Sequence, residues 1–431
     1  MSPFLLPCLL FGLGASAATA PQELYSPFIQ QKVNKTAQAY TNSAPKYPEY
    51  TNQAGIWQDF APNTWTTGFL PATLYALNTR ASLCGTSDGP GWLALGRTLS
   101  DGIVPIEIKN TLEHDVGFVS FPFVQEYLLN PTNQTARTAI TNFANDLANR
   151  YSPIVGCTRS WDNTGSTPAT DFQVIMDNMM NLEVLFYSNE ISANQTLIDI
   201  ATSHADHTLT NHVRADGSSF HLVIYNSTTG SVISQTTAQG YAPSSTWSRG
   251  QAWGIYGFAN MYKRTQNTTY LDASRYMAHY FLNNIPTDTY VVPWDFNAPV
   301  AGRPADSSAA TIVANALLTL STLENPSNAS YWSDAAIGLL NNVTTQAWKG
   351  NNSAWQSLLS NGTVNNRANP PNNMTGIVYG DYYYITAGNT LLNMSLASCN
   401  SGGGGSPSST SATSARPTSS CKTYKPLSTR L

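Results

Sequence analysis

Apolar residues recur three and four positions apart along most of this chain, the spacing by which a helix gathers them on one side. The pattern predicts twelve helices, over residues 22–40, 65–77, 92–109, 116–129, 135–151, 171–188, 195–213, 248–264, 269–283, 307–324, 329–348 and 381–395. Between 219 and 236 the period drops to two. There, 219–225 and 231–236 flank Thr228-Thr229-Gly230 and predict a short β-hairpin.

The more apolar helices alternate with less apolar ones and open on polar or aromatic residues: Thr64-Trp65, Thr246-Trp247 and Asp306-Ser307-Ser308-Ala309-Ala310. Trp65-x-x-Gly68 and Trp247-x-x-Gly250 are weakly alike, a trace of internal repetition. Helices that alternate between inner and outer positions fit an all-α fold, an (α/α)6 barrel of six hairpins. Its inner ring must be apolar on most faces, and the loops entering that ring can gather at one mouth. An irregular helical array is the plainer alternative.

Residues 171–188 carry the sharpest conflict. Val174, Ile175, Met176, Met179, Met180, Leu182, Val184, Leu185 and Phe186 leave no solvent face, so the predicted helix is largely buried. Yet Asp177, Asn178 and Asn181 lie inside that run, and Asp177 and Asn181, four apart, share a face. A buried carboxylate without a partner is costly or takes up a proton. Asp177 is therefore either a first-turn acid favoured by the helix dipole or a chemical group.

Composition sets the compartment. Hydrophobic residues are 42% of the 431, enough for a large core, but charged residues are only 11%, against roughly 25% in ordinary soluble domains. Eleven N-x-Ser/Thr sequons, at Asn34, Asn133, Asn194, Asn226, Asn267, Asn328, Asn342, Asn351, Asn361, Asn373 and Asn393, can supply the missing solubility as N-glycans. The apolar run 4–13 followed by small residues through Ala20 reads as a signal peptide, residues 1–20. A secreted, extracellular glycoprotein is the expectation, with a domain over 21–398 and a disordered Ser/Thr/Gly-rich tail over 399–431. Cys84, Cys157, Cys399 and Cys421 allow up to two disulfides in three pairings; none has metal-site spacing. No metal or cofactor is called for. Net charge is −4 with no basic tract, which argues against a nucleic-acid partner, and no later run is long enough to anchor the chain in a membrane. A monomer is expected.

Two carboxylates enter predicted inner helices from loops: Asp177, and Asp115 in Glu113-His114-Asp115-Val116-Gly117-Phe118. Asp115 can be a plain N-cap, but paired carboxylates are also what glycosidic chemistry uses. Trp65, Trp161, Trp247 and Trp253 stand near these junctions, and flat rings can stack on the C–H faces of sugars. Arg249 opens an apolar helix, where a cation opposes the helix dipole, so it needs an anionic partner: a core Asp or a substrate carboxylate. His221 on the hairpin and Gln239 in the loop after it complete the candidates.

Together, 114–118, Ile175-Met176-Asp177-Asn178-Met179-Met180-Asn181, Ser248-Arg249-Gly250-Gln251-Ala252-Trp253-Gly254 and Asp306-Ser307-Ser308-Ala309 resemble the unsaturated glucuronyl hydrolases, glycoside hydrolase family 88, from about Trp65 to Tyr384. The resemblance implies an (α/α)6 catalytic barrel. Its substrates would be lyase-made oligosaccharides ending in a 4,5-unsaturated glucuronate, removed by hydration of the C4=C5 bond. Carried over by motif, Asp177 is the general acid and then base, with Asp115 its charged support. His114, Asn178, His221, Gln239, Arg249 and Trp253 fall in the site, and Trp65 and Trp161 stack on sugar. The chain departs from the family at Tyr379-Gly380-Asp381-Tyr382, where the family has Trp before Gly-Asp-Tyr, and in residues 365–373, which lack the Ser/Lys pattern of sulfate-accepting members. Three alternatives stay open: an inverting glycosidase acting on saturated sugars, an unsaturated rhamnogalacturonyl hydrolase, and a non-catalytic carbohydrate-binding glycoprotein.

Overall fold

A computed structural model of the protein describes residues 18–41 and 45–399. The expected signal segment and Ser/Thr/Gly-rich tail fall almost wholly outside the described residues. In chain order the elements are α1 (Pro27–Thr41), β1 (Tyr47–Thr51), β2 (Trp57–Phe60), α2 (Phe69–Cys84), α3 (Gly89–Asp101), α4 (Val116–Val119), α5 (Phe121–Leu129) and α6 (Gln134–Asn149). Next come β3 (Tyr151–Ser152), β4 (Cys157–Thr158), β5 (Asp171–Ile175), a 3-10 turn (Met176–Met180), α7 (Glu183–Ser192), α8 (Gln195–His212), β6 (Leu222–Asn226) and β7 (Val232–Thr236). The chain closes with α9 (Ser248–Thr265), α10 (Thr268–Asn283), α11 (Ser307–Leu323), α12 (Pro326–Ala347) and α13 (Val378–Asn393).

The helices form an (α/α)6 barrel. Its inner ring runs α2, α4–α5, the 3-10 turn with α7, α9, α11 and α13, and α13 packs back against α2. Outside it lie α1, α3, α6, α8, α10 and α12. Sequence decides which helix goes where. In α11, Ile312, Val313, Ala314, Ala316, Leu317 and Leu318 are all wholly buried, so no face is left for water. In α6 only Ala136, Ala139, Ile140, Phe143, Ala144 and Leu147 are buried, one stripe at helical spacing. The ring's aromatic centre is Phe69, whose centroid lies 5.5–6.0 Å from those of Phe118, Phe121, Tyr379, Tyr382 and Tyr383. Truncating such a side chain to Ala costs about 3–5 kcal/mol. Two glycines let inner elements touch. A Cβ on Gly68 would lie 2.4 Å from the Phe118 carbonyl, and one on Gly117 would lie 2.4 Å from the Asn181 backbone.

The expected helix over 171–188 is not one element. Residues 171–175 are strand β5, paired antiparallel with β6 from Asp171↔Asn226 to Ile175↔Leu222. The predicted hairpin, β6–β7, thus gains a third strand. Helical spacing of apolar residues in so short a run does not separate a buried strand from a buried helix; the available partner edge of β6 decides. Three other predicted helices break. The first becomes a 3-10 turn (Gln22–Tyr25) and α1, because Pro27 lacks an N–H and begins a new helix. The third, 92–109, ends as α3 at Asp101 and is followed only by a 3-10 turn (Val104–Ile106), because Pro105 has no N–H to continue the helix. The fourth divides into α4 and α5 at Ser120, just before Pro122. Of the possible disulfides, one links Cys84 at the end of α2 to Cys399. Cys157 is a buried free thiol, and Cys421 lies outside the described residues.

Candidate active site

Strand β5 ends where the barrel opens, and Asp177 follows in the 3-10 turn. It is 8% exposed, and its Oδ2 is buried without a hydrogen-bond partner. The nearest basic atom is Nε2 of His221, 3.5 Å away. His221 precedes β6, so the strand pair Ile175↔Leu222 sets the two side by side. The backbone N–H of Ala238 donates to His221 Nδ1 at 3.1 Å. That bond requires a lone pair on Nδ1, which puts the ring proton on Nε2, facing Asp177.

Asp115 arrives from the loop before α4. It occupies the N-cap position but caps nothing with its side chain. His114 Nε2 lies 3.4 Å from its Oδ1. Burial pushes the Asp115 carboxyl well above the usual range, and the negative charges of Asp177 and Glu113 push it further. Asp115 and Asp177 therefore stand close enough for the charge of one to act on the other, so the two acids form one coupled site. Burial pushes His114 down to about 3, so it is neutral.

Asn178 and Asn181 brace this turn. Asn178 Nδ2 donates to the Thr158 carbonyl at 3.1 Å and to its Oγ1 at 2.8 Å. Thr158 in turn donates its N–H to His204 Nδ1 at 3.2 Å. Asn181 Oδ1 accepts the N–H of Phe118 at 3.1 Å, tying the Asp177 turn to the Asp115 helix.

Arg249, at the start of α9, has its partner inside the protein. Nη1 donates to Asp306 Oδ2 at 2.7 Å and to the Thr363 carbonyl; Nη2 donates to Gln239 Oε1 at 3.1 Å and to the Val364 carbonyl at 2.8 Å. Asp306 caps α11 through its other oxygen. Burial opposes the Arg249 charge, but Tyr379 and the carboxylates of Asp306 and Asp177 together outweigh it and its pKa rises. Of the two partners the sequence left open, a core Asp holds Arg249, and Gln239 serves as its second acceptor. The Trp247 ring fills the layer between, with His221 at 4.5 Å and the Arg249 guanidinium at 4.5 Å.

No family model matches the chain. It is 34% identical over 377 residues to an unsaturated glucuronyl hydrolase of Formosa agariphila, covering 83% of this chain and 90% of that one. The chain belongs to the unsaturated glucuronyl hydrolases, glycoside hydrolase family 88. It is a glycoside hydrolase. Among solved structures it matches an unsaturated glucuronyl hydrolase specific for heparin, with TM-score 0.77 and 27% identity over 87% of this chain and 97% of that one. The enzyme from Bacillus sp. GL1 shares the fold at TM-score 0.77 and 24% identity, over 85% and 96%.

In this hydrolase the remaining sequence candidates have different settings. Trp161 is half-buried, bridged to Gln173 of β5, its centroid 6.0 Å from His221. Trp65 is half-buried against Tyr379, with centroids 4.9 Å apart. Trp253 is wholly buried among Phe118, Tyr379 and Tyr383, so it belongs to the floor below the mouth. Sequence reasoning missed Glu49 on β1. Burial pushes its carboxyl up to about 7, against the lowering pull of Arg249 and Thr66. Nothing in Tyr47-Pro48-Glu49-Tyr50-Thr51 marks that acid; β1 reaches the mouth only by pairing Tyr50 with Ile377 before α13. Arg367, whose Nη1 donates to the Thr237 carbonyl at 3.3 Å, adds a cation beside the loop that carries Gln239.

Proposed function

We propose that this enzyme cleaves a 4,5-unsaturated glucuronate from the non-reducing end of lyase-made oligosaccharides, with Asp177 as the proton donor. Asp177 gives a proton to C4 and positive charge develops at C5. Water adds there, losing its proton to the same carboxylate. The hemiketal at C5 then opens and collapses, releasing the shortened sugar and a deoxy-dehydro uronic acid. His221 Nε2–H faces the carboxylate and holds it in line, and Asp115 supports Asp177 electrostatically from the neighbouring loop. Trp65 and Trp161 stack on the sugar.

The observation that carries this reading is Asp177 Oδ2: buried, without a hydrogen-bond partner, and 3.5 Å from a histidine whose proton the Ala238 N–H fixes. A carbon acid step is slow and calls for a carboxyl positioned in this way. The test follows loss of the conjugated enol-ether absorbance on unsaturated disaccharides from chondroitin, hyaluronan, gellan, ulvan and xanthan, beside their saturated counterparts. Turnover of the saturated sugars alone refutes it.

The same reading includes secretion and N-glycosylation. None of the eleven sequon asparagines is buried, so each can carry a glycan without unfolding the barrel. Mass spectrometry of the protein from its culture medium tests both.

A further inference from the structure

A cleft of about 600 Å³ lies on the flank of the barrel, between α1, the β1–β2 hairpin and residues 350–356. Its lining shares no residue with the mouth. One side is a single face of α1: Phe28, Gln31, Lys32, Lys35, Thr36 and Ala39, spaced by threes and fours. The opposite face of α1, with Ile29, Val33 and Ala37, packs into the core. The cleft face is therefore the helix's solvent side, yet it presents Phe28, 40% exposed, and across from it Ile56 is 43% exposed. Trp57 and Trp355 form the rest of the wall.

Charge sets this cleft apart. The chain has eight lysines and a net charge of −4. Three of the eight, Lys32, Lys35 and Lys46, line the cleft, and Lys349 stands with its Nζ 5.7 Å from the Trp355 ring. The one acid in the lining, Asp59, is engaged: Tyr40 donates to it at 2.6 Å, and Lys46 lies 3.8 Å away. Lys32 donates to the carbonyls of Asn352 and Trp355 and fixes the loop against α1. Lys35 is exposed and makes no ion pair among the described residues. Aromatic rings beside the Lys35 ammonium, the other lysines of the cleft and the amides of Gln31 and Gln356 complement what a uronate sugar presents: apolar C–H faces, a carboxylate and hydroxyls.

We propose that this cleft is a second carbohydrate-binding site, one that holds internal units of an anionic polysaccharide away from the catalytic mouth. The probe is hyaluronan that no lyase has cut, which lacks the unsaturated end the mouth would take; dextran is the neutral control. In affinity electrophoresis the full-length protein should be retarded by hyaluronan and not by dextran, and less so as salt is added. Lys35→Glu combined with Trp355→Ala should weaken retardation about tenfold, with turnover of an unsaturated disaccharide unchanged. If Trp355→Ala does not fold, Lys35→Glu alone, at an exposed position, should still weaken it severalfold. Equal retardation of wild type and Lys35→Glu, or no retardation of wild type, overturns the proposal. So does retardation seen only after Asn351, a sequon residue on the cleft rim, is changed to Gln, because the cleft would then be filled by the protein's own glycan.

Discussion

The two ends of the barrel hold a buried arginine in opposite ways. Arg80 lies about three turns into α2, roughly 16 Å along the helix from the mouth, and meets no carboxylate. Its Nε donates to Asn389 Oδ1 at 2.8 Å, Nη1 to the Leu24 carbonyl at 2.6 Å and Nη2 to the Ile385 carbonyl at 2.7 Å. Burial pushes its pKa down to about 10. Arg249 has a carboxylate, Asp306, and its pKa rises. The surroundings differ too. Asn389 Nδ2 donates to the Ala76 carbonyl, and Tyr25 donates to the Gly388 carbonyl. At the mouth, Asp177 Oδ2, His221 Nε2 and His114 Nδ1 are buried without hydrogen bonds. The polar groups around Arg80 are satisfied by the protein alone. The mouth keeps polar atoms unpaired, and that is where a polar ligand gains most.

The sharpest way to break this contrast is at Asp177. Asp177→Asn should lower kcat/KM about 10³–10⁴-fold while leaving thermal stability at or above wild type, since an amide replaces an unpaired buried acid. A destabilised, partly active variant would make Asp177 a structural group. Next come the arginines, read by urea denaturation. Arg249→Met leaves Asp306 buried and unpaired and should cost about 3–5 kcal/mol. Arg80→Met leaves only neutral acceptors and should cost about 1–3 kcal/mol; equal losses would erase the difference.

Asp115→Asn should reduce the plateau rate about 10²-fold. It should also shift the alkaline limb of the pH profile, because a carboxyl held above the ordinary carboxylate range no longer titrates there. The smallest effect concerns Glu49. Its folded pKa, about 7, lies above its ordinary 4.5, so the folded state binds the extra proton. Stability from this group is then fully present at low pH and lost as pH rises from 4.5 through 7. Glu49→Gln should flatten the pH dependence of the unfolding free energy across that window, an effect on the order of 1–3 kcal/mol read by urea denaturation.

Much of the barrel was legible because inner and outer helices differ in how much of their surface is apolar, a local property. Asp177 stood out for the same reason, as an acid in an apolar run, and Arg249 as a cation at the wrong end of a helix. Neither residue carried its partner with it. His221 reaches Asp177 only because β5 pairs with β6. Asp306 lies 57 positions from Arg249, and Glu49 reaches the mouth by a strand that itself looks ordinary.

The sequence by itself therefore determined the hairpin barrel, the two acids at its mouth and the family, since periodicity and motif are written residue by residue. Tertiary structure decided that residues 171–175 are a strand, that burial and neighbouring charge push the Asp115 carboxyl up, and that Arg249 is spoken for by Asp306. Those outcomes depend on which groups meet across the ring. Desolvation and Coulomb energy are set by distance in space, which sequence spacing does not fix.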